Sequence, residues 1–484
     1  MAIFLVLFPP LVATLLAVAL PRRVRLASWG SVALNAVSLG ASLWLCASVL
    51  RDGSAISAAS GFWRVDALSA LLTLCITGVT LLASALGPGL DGAADLDAAQ
   101  VRRFRMFVNA FTLTMLMAVA TNNVGFMWVT IEATTITSAV VIPLHRTKAS
   151  VEASWKYLLI CSVGIALAFA GTVLAYFDFV STAGHLPDAL SWTVLRTAAP
   201  ALHPELMQLA FAFMLIGYGT KAGLAPMHTW LPDAHSEAPA PMSAMMSGVL
   251  LAVALYALTR WKAVVDETLG TTFTSDLLIT AGVLSVIVGA LSLVVQRHYK
   301  RMLAYSSVEH IGLASVGIGL GPLGTFAAFL HLVNHAAAKS MAFLLAGRIL
   351  HRYQTTEIAR VSGLLRAMPW TGSLFAAGVL ALVGLPPFGL FVSEFLLVRA
   401  AIVAGRPWLA AALLFLVLIA FVSLFGHLNR MLYGAVPEGV AVGERAGWKV
   451  ATLAGCAVAL VVLGLVLPSP LTALIDGAVL AVTR

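Results

Sequence analysis

Charge is what this sequence has least of. Only 10% of its 484 residues are Asp, Glu, Lys or Arg, while 60% are hydrophobic; an ordinary soluble domain carries roughly 25% charged residues. The shortfall excludes a water-soluble globular protein. Cysteine is scarce too. Cys46, Cys75, Cys161 and Cys456 all lie inside apolar segments and form no CxxC pair, which removes the ligand spacing of an iron–sulfur cluster or a structural zinc site. One dinucleotide-type spacing occurs, GLGPLG at 319–324. No strand precedes it, a proline lies inside it, and it falls where two apolar runs turn round, so it does not read as a nucleotide loop. No linker, low-complexity stretch or soluble domain interrupts the chain. The expectation is a chain with no cofactor and no metal of its own, and no nucleic acid partner. Its net charge of +8 fits loops facing anionic lipid and partner proteins.

What is present instead is a succession of apolar runs, each long enough to cross a hydrocarbon layer of about 30 Å at 1.5 Å per residue. Fourteen spans are expected, at about 2–20, 28–50, 65–87, 104–121, 123–143, 152–177, 206–235, 242–261, 274–295, 302–320, 323–348, 369–404, 408–430 and 448–467. The first ends in PRRVR rather than in a small-residue cleavage site, so it reads as a helix and not as a cleavable signal. Basic loops stay on the cytoplasmic side. With the loop holding Arg22, Arg23 and Arg25 inside, the inner loops collect most of the basic residues and both termini lie outside.

Against this apolar background, ionisable residues at mid-membrane depth stand out, because each costs at least ~2.5–3.5 kcal/mol on insertion scales. They are Glu132, Lys221, His310, Lys339 and Glu394, with His331 and His335 preceding Lys339 at i, i+4, i+8 on one helix face. Lying at similar depths, they form a polar line parallel to the membrane, which suits a relay between two half-channels better than a pore. A metal site at His331 and His335 is the competing reading. Two histidines fall short of the ligands zinc needs, and a cation at Lys339 would repel the metal. Taken singly, Glu132 reads as a satisfied structural carboxylate, His310 as a core histidine and the hydroxyl run TTITS at 134–138 as helix packing. Lys300 and Arg301 read as interfacial anchors. His228, Asp233, His235 and Glu237 read as solvated at the inner surface, with His228 a candidate access point for protons.

Two long apolar segments are broken, by GLAPMHTWLP at 223–232 and GLPPFGLF at 384–391. Gly223, Pro226, Gly384, Pro386, Pro387 and Gly389 are the breaking residues, one set in each half of the chain. Paired broken helices point to a transporter built from repeats, with backbone groups freed at the breaks to line a hydrated cavity. Lys221 stands just before the first break and Glu394 just after the second. Burial disfavours both charged forms of a Glu–Lys pair and proximity restores them, so separating the pair would move a proton and the two would titrate as a unit.

The segments GTKAGLAPMHTWLPDAHSEAPAPMSAMMSG, KRMLAYSSVEHIG, HLVNHAAAKSMAFLLAG and GLPPFGLFVSEF resemble the antiporter-like, proton-conducting membrane subunits shared by respiratory complex I, multi-subunit cation/proton antiporters and membrane-bound [NiFe] hydrogenases. The likeness runs from about Phe104 to Arg430 and is strongest to component F of hydrogenase-4-type complexes and the fourth antiporter-like subunit of complex I. It implies an all-α polytopic membrane protein of about 14 transmembrane helices, with two inverted five-helix repeats at 104–261 and 274–430. A three-helix segment at 1–103 would precede them, and a C-terminal helix and tail at 431–484 would follow. It also implies that Glu132 and Lys221 are the family's buried pair, Lys339 its central lysine, Glu394 the acid of the second broken helix, and His310, His331 and His335 the connecting histidines. One departure stands out: SAMMSGVLLAVALYALTR on the eighth span has no Lys or His, leaving Ser247 and the backbone near Gly248 as its polar groups. The function implied is proton translocation in a redox-driven complex. Its partners would be other membrane subunits and soluble [NiFe] or iron–sulfur subunits, and it would sit in the inner (plasma) membrane. A Na⁺/H⁺ antiporter component without redox partner is the alternative, and a scaffold that has lost transport a third reading.

Overall fold

Each apolar run becomes a helix because, out of water, the backbone must satisfy its own hydrogen bonds. The computed structural model describes residues 2–90, 96–184 and 188–483. In chain order the elements are α1 (Ala2–Ala19), α2 (Val24–Asp52), an antiparallel hairpin of β1 (Ile56–Ala58) and β2 (Trp63–Val65), α3 (Ala67–Leu86), α4 (Ala98–Ala120), α5 (Val124–Ala139), α6 (Lys148–Ala183), α7 (Trp192–Ala198), α8 (Pro204–Ala222), α9 (Trp230–Glu237), α10 (Ala240–Met245) and α11 (Leu251–Leu269). Then come α12 (Thr272–Val294), α13 (Tyr299–Gly319), α14 (Pro322–Tyr353), α15 (Leu364–Ala367), α16 (Pro369–Leu382), α17 (Gly389–Val403), α18 (Pro407–Leu432), α19 (Trp448–Leu465) and α20 (Ser469–Thr483). A π turn, Met246–Leu250, joins α10 to α11.

All fourteen expected spans are helical. Among the described residues ten helical segments are long and apolar enough to cross a membrane, with α8–α9 and α10–α11 each running as one. The remaining spans fall short for visible reasons. The helix α5 has 16 residues, α16 and α17 are halves of a broken pass, and α13 and α14 carry the polar residues of the site. Four elements were not expected: the hairpin, α7, the one-turn α15 and the C-terminal α20. The hairpin and α7 are too short to register as apolar runs. The tail after the last expected span is the helix α20, whose Leu474, Ile475, Ala478 and Val479 are buried against α3 and α14.

The passes fall into two sets of five, α4 to α11 and α12 to α18, and the fourth of each set is the broken one. An odd number of passes turns the second set upside down relative to the first. Local signals set the helix ends. Asp97 and Gln100 form a capping box on α4, as Thr147 and Ser150 do on α6, and Asn123 caps α5. The α6–α8 contact is closed by glycine: a Cβ at Gly217 would stand 2.5 Å from Ala168 N and 2.6 Å from Gly164 O, so only glycine permits that approach. The α10–α11 pass is enclosed on every side, with Leu251 through Val265 all buried. The outward faces are apolar instead, with Trp155, Phe177, Phe415 and Leu418 exposed, as a lipid-facing surface requires.

Two polar networks away from the breaks hold the bundle. Arg260 of α11 donates to Asp66 at 2.5 Å, and Asp66 also caps α3 by accepting from Ser69 N at 3.0 Å. The loop before α19 is tied down by Glu444, which accepts from Arg348 at 2.6 Å and from the Thr371 backbone N–H at 2.9 Å. Burial alone would raise the Glu444 carboxyl, but the hydrogen bonds from Thr371 and Arg348 outweigh it and hold it below the usual carboxylate value.

Candidate functional site

Three helices build the first cluster. The α8 helix ends at Gly223, whose φ of 78° is the left-handed conformation that glycine adopts without strain. Lys221 therefore sits in the last helical turn, where a cation meets the negative end of the helix dipole. Its Nζ donates to the hydroxyls of Thr135 on α5 at 2.7 Å and Tyr157 on α6 at 2.8 Å, and lies 4.8 Å from the centre of the Tyr157 ring. Tyr157 is tied in turn to Ser138 at 2.7 Å. Glu132 accepts from Ser162 at 2.6 Å and from Thr135 at 3.1 Å. The expected pair is thus present but not in direct contact: Thr135 stands between its members, because α5 presents Glu132 and Thr135 on one face at i, i+3 and the hydroxyl reaches the lysine first. The break itself is satisfied locally. Trp230 of α9 donates its indole N–H to Thr220 O at 2.8 Å, and Ala225 N donates to Ser285 at 2.9 Å.

The central cluster lies between α9, α13 and α14. Lys339, fully buried, donates to Leu303 O at 2.7 Å and to the Ser306 hydroxyl. Glu309 of α13 lies within electrostatic reach of it. His235 was expected in solvent at the inner surface, and this is corrected: it is fully buried, its ring 5.8 Å from Trp230 and 6.0 Å from Phe343. It lies within electrostatic reach of Lys339 and His335. After the break α9 packs against α6 and α13 and carries His235 inward, while Asp233 accepts from Arg301 at 2.5 Å. His228 is half-buried in the break. Lys300, read as an interfacial anchor, is buried instead and donates to Ala238 O at 2.8 Å and to Ser236 O.

The third cluster continues from the second. His310 Nδ1 meets His331 Nε2 at 3.0 Å, with ring centroids 5.1 Å apart, and His335 lies 5.3 Å from the His310 ring. His331 Nδ1 meets the Ser393 hydroxyl at 2.9 Å. Next to Ser393, Glu394 brings a carboxylate oxygen within 4.8 Å of the His310 and His331 donors. The second break makes this possible. Gly384 has φ of 65°, and a Cβ there would run into the Glu394 carboxyl, 2.8 Å from its Cδ. Gly389 likewise leaves room for the Asn334 amide. Pro386 and Pro387 lie between them in the turn, as Pro226 does in the first break. A hydrogen bond between two imidazoles requires one donor and one acceptor nitrogen, an arrangement suited to passing protons.

The structure therefore brings His310, His331, His335 and Glu394 into one row, with Lys339 one helical turn beyond His335, and leaves Glu132 and Lys221 as a separate bridged pair. Between them, the eighth pass contributes Ser247, bonded to Ser307 at 2.7 Å. Sequence reading passed over Tyr157, Ser162, Ser306 and Ser393, and took Thr135 for helix packing and His235 for a solvated surface group. Their signals were the hydroxyls one turn from Glu132 and Glu309, the serine beside Glu394, and the WKYLLICS and DAHSE segments.

The profile of a family described as NADH:quinone oxidoreductase/Mrp antiporter, transmembrane, matches residues 121–420, which take in every residue of the three clusters. The chain belongs to that family. Among curated members of the antiporter family it is 39% identical over 416 residues, 85% of this chain and 86% of the relative, to a hydrogenase-4 component F homolog of Methylacidiphilum infernorum. Its fold matches a chain of the membrane-bound sulfane sulfur reductase, an archaeal respiratory membrane complex, with a TM-score of 0.89 and 25% identity over 100% of this chain and 98% of that one. It also matches a chain of respiratory complex I from Thermus thermophilus, with a TM-score of 0.79 and 26% identity over 99% and 100%. The chain is thus a multi-pass membrane protein of the antiporter family, and its two broken passes and buried charges lie inside the matched region.

Proposed function

We propose that this chain translocates protons as a subunit of a redox-driven membrane complex of the hydrogenase-4-like or NADH:quinone oxidoreductase-like kind. The observation that carries the reading is the pairing of two broken helices with ionisable groups: Lys221, buried at the end of α8, and Glu394, half-buried near the start of α17, with Lys339 and four buried histidines between them. Glu132, Lys221, Lys339, Glu394, His310, His331 and His335 act as the proton-carrying groups and His228 as the access point. His235 supplies the ionisable group that the eighth pass lacks. In this reading ordered water links His235 and His335, both fully buried, across the gap.

In this reading residues 104–261 and 274–430 are the two inverted repeats, 1–103 and 431–484 flank them, and both termini face outward in the plasma membrane. The chain carries no cofactor. Other membrane subunits and soluble [NiFe] or iron–sulfur subunits supply the redox chemistry, which readily covers the roughly 2.3 kcal/mol needed to move one charge against 100 mV. The family description also names Mrp antiporters, and a Na⁺/H⁺ antiporter component is the second reading. Gentle extraction from the native membrane, followed by mass spectrometry of the co-purifying chains, separates the two. Partners with [NiFe] or iron–sulfur cysteine motifs are expected. Recovery of cofactor-free membrane subunits alone, with sodium-dependent transport in vesicles lacking an electron donor, would transfer the assignment to the antiporter.

A second test uses two glycines of similar conformation. Gly384 and Gly405 both have positive φ, 65° and 72°, but nothing lies within 4 Å of a Cβ at Gly405. Alanine at either site adds backbone strain of about 1–2 kcal/mol. Only Gly384→Ala displaces Glu394, so it is expected to cut proton translocation in vesicles while Gly405→Ala leaves it near the wild-type rate. Equal rates for the two variants would remove Glu394 from the pathway.

A further inference from the structure

The geometry points to Thr135 as a proton relay between Lys221 and Glu132, a role that rests on the transport reading above. Three atoms lie in series: Lys221 Nζ, 2.7 Å from Thr135 Oγ1, which is 3.1 Å from Glu132 Oε2. A threonine hydroxyl has one proton to give and two lone pairs to accept with. Here it accepts from the lysine and donates to the carboxylate at the same time. The two ends are held independently, Glu132 by Ser162 at 2.6 Å and Lys221 by Tyr157 at 2.8 Å, so among the described residues Thr135 is the hydrogen-bonding group they share.

Its neighbours show that this hydroxyl is special. In membrane helices Ser and Thr commonly give their proton to a carbonyl one turn back. Thr134 does so to Ile131 O at 2.6 Å, Thr137 to Ala133 O at 2.8 Å and Ser138 to Thr134 O at 2.6 Å. Thr135, on the same helix and fully buried, directs its proton to Glu132 instead.

The step is a concerted shift of two protons. One N–H bond of the Lys221 ammonium breaks as that proton forms a new O–H bond on Thr135 Oγ1. The original Thr135 O–H bond breaks as its proton forms an O–H bond on Glu132. Threonine ends as it began, the amine and the carboxylic acid are both neutral, and no electrons are exchanged. Two opposite charges are cancelled inside a medium that disfavours them, and neither side chain has to travel to the other. The reverse shift recharges the pair.

The relay is tested with Thr135→Val, which keeps the shape and removes the hydroxyl, and Thr135→Ser, which keeps the hydroxyl. Both are made in the whole complex in native membrane vesicles. Proton flux under an imposed potential is followed with a pH-sensitive dye in mixtures of H₂O and D₂O. Expected are a loss on the order of 10²-fold in Thr135→Val, near-normal flux in Thr135→Ser, and a curved isotope dependence in wild type that becomes linear in the residual Thr135→Val flux. Wild-type flux in Thr135→Val, or a reduced flux with the curvature intact, would overturn the relay. If Thr135→Val does not assemble on native gels, Thr135→Ala carries the same comparison. Lys221→Met serves as the reference: normal flux there removes the transport reading itself, whereas a dead Lys221→Met beside a normal Thr135→Val removes the relay alone.

Discussion

Lys221→Met is expected to abolish proton translocation while the chain continues to assemble. The lysine is fully buried, and its partners are the hydroxyls of Thr135 and Tyr157. Once the ammonium is gone neither hydroxyl is stranded, since Tyr157 keeps Ser138 and Thr135 keeps Glu132. Methionine fills the same volume without a charge, so the penalty of an unpaired buried group is avoided. What disappears is the buried amine that ends α8 at the first break and that can bind and release a proton. A positioned acid–base group contributes typically 10²–10⁴-fold, so the residual rate should fall by at least about 10²-fold. The measurement is dye-detected acidification of vesicles, with the amount of assembled complex read from native gels. Wild-type pumping in Lys221→Met would sink the assignment; loss of assembly would show that the lysine is structural.

The second large effect is on stability and lies away from the pathway. Arg260 and Asp66 form a nearly buried pair at 2.5 Å, with the guanidinium 4.4 Å from the Trp192 ring centre. Removing one partner of such a pair leaves a charge without compensation and costs about 3–5 kcal/mol, whereas replacing both is close to neutral. Arg260→Met and Asp66→Asn should therefore each lower the thermal midpoint of the detergent-extracted protein sharply. Asparagine still caps α3, so the Asp66→Asn effect reports the lost charge rather than the lost cap. The double variant should be less destabilised than the sum of the singles. Strict additivity would mean that α11 and α3 are held by apolar packing and the pair is incidental.

Much of this was legible in the residues. The helical passes followed from apolar run length, and both breaks from glycine and proline inside such runs. Lys339, His331 and His335 were correctly read as one face from their spacing. His235 was misread because PDAHSE is a polar segment, and a polar segment at the end of a span ordinarily marks the water interface. Nothing in its own sequence says that the half-helix α9 turns His235 inward, where its ring packs beside Trp230 and Phe343. Thr135 was read as packing because the run TTITS has four hydroxyls and sequence does not distinguish the one that leaves the backbone.

By itself, then, the sequence determined that the chain lives in a membrane, where its helices break and which ionisable residues are trapped at depth. These are properties of a segment of about 20 residues, summed along the chain against the cost of charge in hydrocarbon. Only the tertiary structure decided what each charge touches: Thr135 between Glu132 and Lys221, Ser306 under Lys339, Ser393 beside His331. Those partners come from segments 3 to 86 residues away in the chain. They are chosen by how far each helix is rotated about its own axis, and that rotation is set by packing between helices such as the glycine contacts of α6 with α8. Hydropathy averages over that rotation and so cannot record it.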